Sequence, residues 1–378
     1  MYPRFLINII FLLTLYFTTN SYCANVNLPT SEIINSSEHV VVSQKTDISP
    51  LLLSAFSVKN VTQEDYKKQL AVYTISILSL SLLVIGLFVF IRKTMVQKKK
   101  VELVKEELDN ALMEVNYQNI KITNSIRAAQ TIQNAILPPK KLLKSKFKNF
   151  FAIYRPKDIV SGDFYWHGEV IDKENVNHQF FACADCTGHG VPGALMSMIG
   201  KTILQEVLEK SLSTDPAVIL EMINQRIINY LRQQENTIND GMDIALIKFY
   251  DSPSPTKKIE FAGAKSDIYI IRKQQQILER VRGSRKFIGG KQIETRTFET
   301  KSITLNKGDN IIMLTDGYLD QNNENNDKFG RRYFEEYIRK HIDQPLVDLG
   351  DLLEAALDVH QGNISQRDDI TVIGIEMI

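Results

Sequence analysis

An uncharged run from Ala71 to Ile91, rich in Leu, Ile, Val and Phe, limits what this chain can fold into more than any other feature. A hydrocarbon bilayer offers a backbone no hydrogen-bond partners, and ~20 apolar residues at ~1.5 Å rise each cover its ~30 Å only as a helix. The run therefore predicts one membrane span over 71–91. Arg92, Lys93, Lys98, Lys99 and Lys100 follow it, whereas only Lys67 and Lys68 stand close before it. That excess of positive charge assigns the C-terminal side to the cytoplasm, as in a single-pass protein of a bacterial inner membrane. Further upstream, Arg4 precedes the apolar run Phe5 to Phe17, and small or polar residues follow to Ala24. Residues 1–24 read as a signal peptide or as an uncleaved signal anchor. Residues 25–70 are then a short extracytoplasmic segment, rich in Ser, Asn and Thr, with too little apolar surface for a core of its own.

Beyond the span the pattern changes period. Val101, Val104, Leu108, Ala111, Val115, Gln118, Ile122, Ser125, Ala129, Ile132 and Ile136 alternate steps of three and four residues, the register of a coiled coil. Residues 95–137 are predicted to be a helical linker that pairs two copies in parallel, with Gln118 and Ser125 weakening the seam. Pro138 and Pro139 end the helix and mark a domain boundary, so 138–378 is the remaining domain.

In that domain Phe150 to Tyr154, Phe164 to Ile171, Gln179 to Ala184, Asp243 to Tyr250, Lys258 to Ala262, Asp267 to Arg272, Ser302 to Leu305, Asn310 to Thr315 and Ile370 to Ile375 read as strands. Gly193 to Lys210, Pro216 to Gln233, Arg331 to Ile342 and Leu346 to His360 carry helical apolar spacing. Hairpin-like connections with helices in blocks predict an α+β fold with antiparallel sheets. The balance of 45 basic against 44 acidic side chains argues against nucleic acid as a partner, and three cysteines provide no disulfide framework.

Four acidic motifs are spread through this domain: Ser-Gly-Asp-Phe-Tyr at 161–165, Ala-Asp-Cys-Thr-Gly-His-Gly at 184–190, Leu-Thr-Asp-Gly at 314–317 and Arg-Asp-Asp-Ile-Thr at 367–371. Each places an aspartate beside the end of an apolar run, where a strand hands a side chain to a rim. Carboxylates are hard ligands, and without converging His or Cys they point to Mg²⁺ or Mn²⁺ rather than Zn²⁺. Cys183 and Cys186 straddle Asp185, but a lone Cys-x-x-Cys pair is poor grounds for zinc, and a buried free thiol is the expectation for Cys183.

The succession of Ala135-Ile136-Leu137-Pro138, the four acidic motifs, Phe261-Ala262-Gly263-Ala264 and Lys328-Phe329-Gly330 resembles the SpoIIE-like bacterial branch of the PPM serine/threonine phosphatases, over roughly 135–378. The resemblance implies a sandwich of two antiparallel β-sheets flanked by helices, the PPM phosphatase fold. Two Mn²⁺ or Mg²⁺ ions would lie at one end, and a water bridging them would attack phosphoserine or phosphothreonine of a protein. Carried onto this chain, Asp163 and Asp185 hold the ions, with the backbone carbonyl of Cys186 as a further ligand, and Asp316 and Asp368 complete the second. Asp369 is assigned to the surroundings of the ligands, because adjacent aspartates on a strand face opposite ways. His189 is a candidate proton donor or a loop residue, and Arg155 a candidate phosphate contact or a surface residue.

The resemblance further implies a phosphorylated cytoplasmic regulator as substrate, such as an anti-sigma-factor antagonist. Two other readings remain beside it. One is a pseudophosphatase that binds its partner without turnover; the other is a metal-dependent hydrolase of small phosphoesters. Retention of all four aspartates speaks against the first.

Overall fold

The computed structural model describes residues 63–172, 175–211, 213–250, 257–292 and 296–377. The expectations for 1–24, and for 25–70 as far as residue 62, lie outside the described residues. Helix α1 (Gln63–Ile136) runs without interruption through the apolar segment and the heptads, and stops just before Pro138 and Pro139. Among the described residues it is the one helix long and apolar enough to cross a membrane.

Residues 137–377 form a four-layer αββα sandwich. The strands are β1 (Asn149–Arg155), β2 (Phe164–Ile171), β3 (Asn177–Cys186), β4 (Gly241–Tyr250), β5 (Lys257–Ala264), β6 (Ile268–Arg272), β7 (Ile277–Val281), β8 (Ile288–Gly289), β9 (Lys301–Leu305), β10 (Asn310–Leu314) and β11 (Ile370–Glu376). One sheet has the order β1-β11-β10-β6-β7 and the other β2-β3-β4-β5-β9, with β8 added to β4; all the pairings within them are antiparallel. The helices are α2 (Lys140–Lys146), α3 (Gly190–Lys210), α4 (Pro216–Tyr230), α5 (Asp316–Asp320), α6 (Arg331–Lys340) and α7 (Leu346–Gln361).

Burial on both faces explains why these strands read as near-continuous apolar runs instead of alternating ones. In β11, Ile373 and Ile375 turn to the core between the sheets, while Ile370 and Val372 turn to the outer layer. Phe181, Ile247, Phe261, Ile311 and Met313 fill the same inter-sheet layer. Helices α3 and α4 cover one outer face through Leu204, Val207, Leu220 and Ile223, and α6 and α7 cover the other through Phe334, Ile338, Leu349 and Leu353. Asp215 caps α4, its carboxylate accepting from the Ala217 N–H at 2.8 Å, with Pro216 at the first helical position.

The α+β architecture and its antiparallel sheets are those the sequence predicts, with ends shifted by a few residues. Strands β7 and β8 and helices α2 and α5 were not predicted. Strand β8 spans two residues and α5 five, too short to show a period. Leu353 is fully buried on α7 and faces the outer layer of the five-stranded sheet. Leu353→Ala is expected to lower unfolding free energy by about 2–5 kcal/mol, read from denaturant curves through the fluorescence of the single tryptophan, buried Trp166.

Candidate functional site

The four acidic motifs meet at one end of the sandwich. Asp163 immediately precedes β2, Asp185 lies in the last turn-ward pair of β3, and Asp316 opens α5 directly after β10. Register explains the gathering: Phe164 pairs with Ala184, Asp185 pairs with Asp243 on β4, and Leu314 pairs with Val372. Asp185, Cys186, Asp243, Asp316 and Asp368 line a common cleft of ~380 Å³, together with Lys265 and Phe287.

Asp163 sits behind that cleft and is 1% exposed. Its Oδ2 accepts hydrogen bonds from Thr315 Oγ1 at 2.7 Å and Thr371 Oγ1 at 2.8 Å. Burial pushes its carboxyl well above the ordinary range, the two threonine hydroxyls oppose that, and Asp369 and Asp316 add to the rise. Asp185 is raised by burial first and then by Asp163, Asp316 and Asp243. Asp316 is raised by burial too, and its carboxyl is within hydrogen-bonding reach of Asp185.

Asp368 and Asp369 do diverge, but not by the strand alternation the sequence suggests. Both lie in the bend before β11, which starts at Ile370. Asp368 faces the cleft, and its Oδ1 accepts from the Asp369 N–H at 2.8 Å. Asp369 turns inward, where its two oxygens accept from the N–H groups of Lys157 and Gly162, each at 2.7 Å. The Asp-Gly pair at 316–317 has a steric origin as well. A Cβ on Gly317 would stand 1.9 Å from the Asp369 carbonyl oxygen, so any side chain there would push the two motifs apart.

The other candidates are engaged differently. His189 is about half exposed, and its Nδ1 lies 2.7 Å from Asp158 Oδ2. Arg155 forms an ion pair with Asp358 of α7 at 2.5 Å, and its carbonyl accepts from Gln366. Neither side chain lines the cleft around Asp185 and Asp316. Cys183 and Cys186 are both buried free thiols whose pKa values burial pushes well up, with nearby aspartates adding to the effect, the condition of unreactive structural cysteines.

Sequence reasoning missed Asp243, Lys265, Thr315 and Thr371 as parts of the site. Lys265 donates to Asp243 Oδ2 at 2.7 Å from a backbone with φ of 53°, the left-handed region unusual for lysine. The threonines stood inside two of the acidic motifs, and that adjacency was the available signal. Asp243 was hidden in the strand reading of 243–250.

The donor set fits Mg²⁺ or Mn²⁺. It is all oxygen, the neighbouring thiols are buried, and the carboxyls of Asp185, Asp316 and Asp368 face one cleft with like charges that a cation would offset. Among the described residues no three His, Cys, Asp or Glu side chains stand close enough together to hold an ion by themselves. Mg²⁺ commonly keeps several waters and takes only one or two carboxylates directly. Asp185, Asp316 and Asp368 would hold such ions from the cleft, with the Cys186 carbonyl beside them, and Asp163 would add from behind it the Oδ1 that Thr315 and Thr371 leave untaken.

A family model described as Stage II sporulation protein E (SpoIIE) matches residues 176–378. The SiaA-PP2C domain of Pseudomonas aeruginosa is 32% identical with a TM-score of 0.60, over 69% of this chain and 98% of that one. The PP2C phosphatase domain of SpoIIE from Bacillus subtilis, solved with a fragment of its regulatory domain, is 20% identical with a TM-score of 0.47, over 60% of this chain and 62% of that one. No curated protein matches the chain.

The raised carboxyls give a signed prediction. Asp163, Asp185, Asp316 and Asp369 hold protons more tightly folded than unfolded, so without divalent ions stability falls as pH rises from about 4 toward neutrality. Thermal melts in chelator are expected to show that decline. Added Mn²⁺ is expected to raise the melting temperature at neutral pH and to lose its effect near pH 4, where the carboxyls are protonated.

Proposed function

Because the chain belongs to the SpoIIE family of PP2C-type serine/threonine phosphatases, we propose that it is a membrane-anchored, Mn²⁺- or Mg²⁺-dependent enzyme that removes phosphate from serine or threonine of a cytoplasmic regulatory protein. The observation that carries the reading is the convergence of Asp185, Asp316 and Asp368 on one cleft of a sandwich of this family.

Two divalent ions in such a site would lower the pKa of water, supply a hydroxide nucleophile and neutralise charge on the phosphoryl oxygens. The chain's own groups do the rest. Asp185 and Asp316 provide hard anionic ligands from opposite sheets. Thr315 and Thr371 hold the Asp163 carboxylate in one orientation, and Asp369 ties the 157–162 loop to the start of β11. Lys265, paired with Asp243, brings a positive charge to the rim of an otherwise acidic cleft, which favours entry of a phosphate dianion. No side chain is needed as a covalent nucleophile.

The apolar helix supports anchoring by 71–91, and the basic residues from Arg92 to Lys100 favour a cytoplasmic catalytic domain. The exposed heptad side chains Val101, Val104, Leu108, Val115 and Ile122 favour a parallel homodimer through that helix. A phosphorylated anti-sigma-factor antagonist or a similar small regulator is the substrate class we assign, with partner switching as the output.

The test is Mn²⁺-dependent phosphate release from a phosphoserine protein by the full chain in detergent, alongside Asp185→Ala and Asp316→Ala. Release by the wild type that falls at least ~100-fold in both variants supports the enzyme. Tight binding of the phosphoprotein with no release at any Mn²⁺ concentration would favour a partner-binding pseudophosphatase. A nucleotide hydrolysed in preference to the phosphoprotein would move the substrate class to small phosphoesters.

A further inference from the structure

Gln133 is the one buried residue of α1, at 3% exposure, and it is polar. A buried amide must be matched by hydrogen bonds, and here each of its groups is used. Its Nε2 donates to the Ser161 carbonyl at 2.6 Å and to Ser197 Oγ of α3 at 3.0 Å, while its Oε1 accepts from the Ser161 N–H at 3.0 Å. Ser197 Oγ directs its own proton to the Ala194 carbonyl at 2.9 Å or the Ser161 carbonyl at 3.3 Å, and either way its oxygen is free to accept. The amide orientation is thereby fixed, since a flipped amide would set NH₂ against the Ser161 N–H.

The Gln133 side chain thus pairs with both sides of the Ser161 peptide unit as a neighbouring strand would. That matters because residues 161–163 precede β2 and have no sheet partner. Their three N–H groups go to Gln133 Oε1, to Asp369 Oδ2 and to Ser161 Oγ. Two of these contacts come from outside the segment, and one of the two is Gln133. Two residues later the chain delivers the Asp163 carboxylate behind the acidic cleft.

We propose that Gln133 is a positioning residue: through Ser161 it sets the placement of Asp163, and so the affinity of the acidic site for divalent ions. The inference rests on the metal-site reading given above. Replacing a group that orients a ligand typically weakens metal binding ~10- to 100-fold. Gln133→Met keeps the length of the side chain and removes all three hydrogen bonds, leaving the Ser161 N–H buried without a partner and its carbonyl with only the 3.3 Å contact from Ser197 Oγ.

The experiment is calorimetric titration of Mn²⁺ into the full chain in detergent micelles, with thermal melts of the same samples. Leu208→Ala serves as the control. Leu208 is buried in the layer that packs on α3, and it lies about 16 Å further along that helix than Ser197. Both variants are expected to melt below the wild type. Gln133→Met is expected to bind Mn²⁺ ~10- to 100-fold more weakly, and Leu208→Ala to bind it as the wild type does. Wild-type affinity in Gln133→Met would overturn the assignment, and so would an equal loss in Leu208→Ala, which would make the effect one of general stability. Absence of Mn²⁺ binding by the wild type would instead bring down the metal-site reading, and this inference with it.

Discussion

A carboxylate buried as deeply as Asp163 has to be met by donors, and the donors it meets come from the opposite sheet. Asp163 leads into β2 of the six-stranded sheet, whereas Thr371 belongs to β11 of the five-stranded one and Thr315 directly follows its β10. Tyr154 of β1 adds a hydrogen bond to the Asp163 carbonyl at 3.1 Å, and Asp369 reaches back to the Gly162 N–H. The apolar layer between the sheets is non-directional and would tolerate sliding. These polar contacts are directional, so they set how the two sheets are aligned at the end where the acidic residues collect.

The same alignment gathers like charges. Asp163, Asp185, Asp243, Asp316 and Asp369 are all pushed toward protonation by burial, and most by one another. Such a cluster works against folding unless something positive joins it. Lys265 answers part of the charge at Asp243, and a divalent ion is the natural counterpart for the remainder. Stability and function therefore pull in opposite directions at this end of the sandwich, and the apolar layers elsewhere, with Trp166, Phe181, Phe261 and Tyr318 fully enclosed, carry the fold.

Much of this was legible in the sequence because it was encoded locally. The apolar span, the helical period up to Pro138, the strand runs and the four Asp-containing motifs each occupy a few adjacent residues. What escaped was encoded across distance. Asp243 joins the site only because β3 and β4 pair in the register that sets it opposite Asp185. Thr315 and Thr371 look like ordinary strand residues until their hydroxyls are seen to converge on one oxygen. Asp368 and Asp369 were assigned to opposite faces of a strand, and the divergence holds although its cause is a bend held by backbone donors to Asp369. Gln133 reads as one more polar residue of a solvated helix, since nothing near it in sequence announces Ser161 or Ser197.

Helix α1 carries two apolar or buried stripes side by side. Ile122, Ala129, Ile132 and the heptad positions before them form one, and Ile126, Gln130 and Gln133, each partly or wholly buried, form the other, displaced by one residue and continued by Leu137 just past the helix end. A step of one residue turns a helix by about 100°. The length between the open stripe and the anchored one is therefore a quantity with a modulus: insertion of seven residues preserves their angular relation, and insertion of one or two does not. Upstream segments of different origin could be exchanged onto this domain in whole heptads, which makes the linker a joint with a fixed phase.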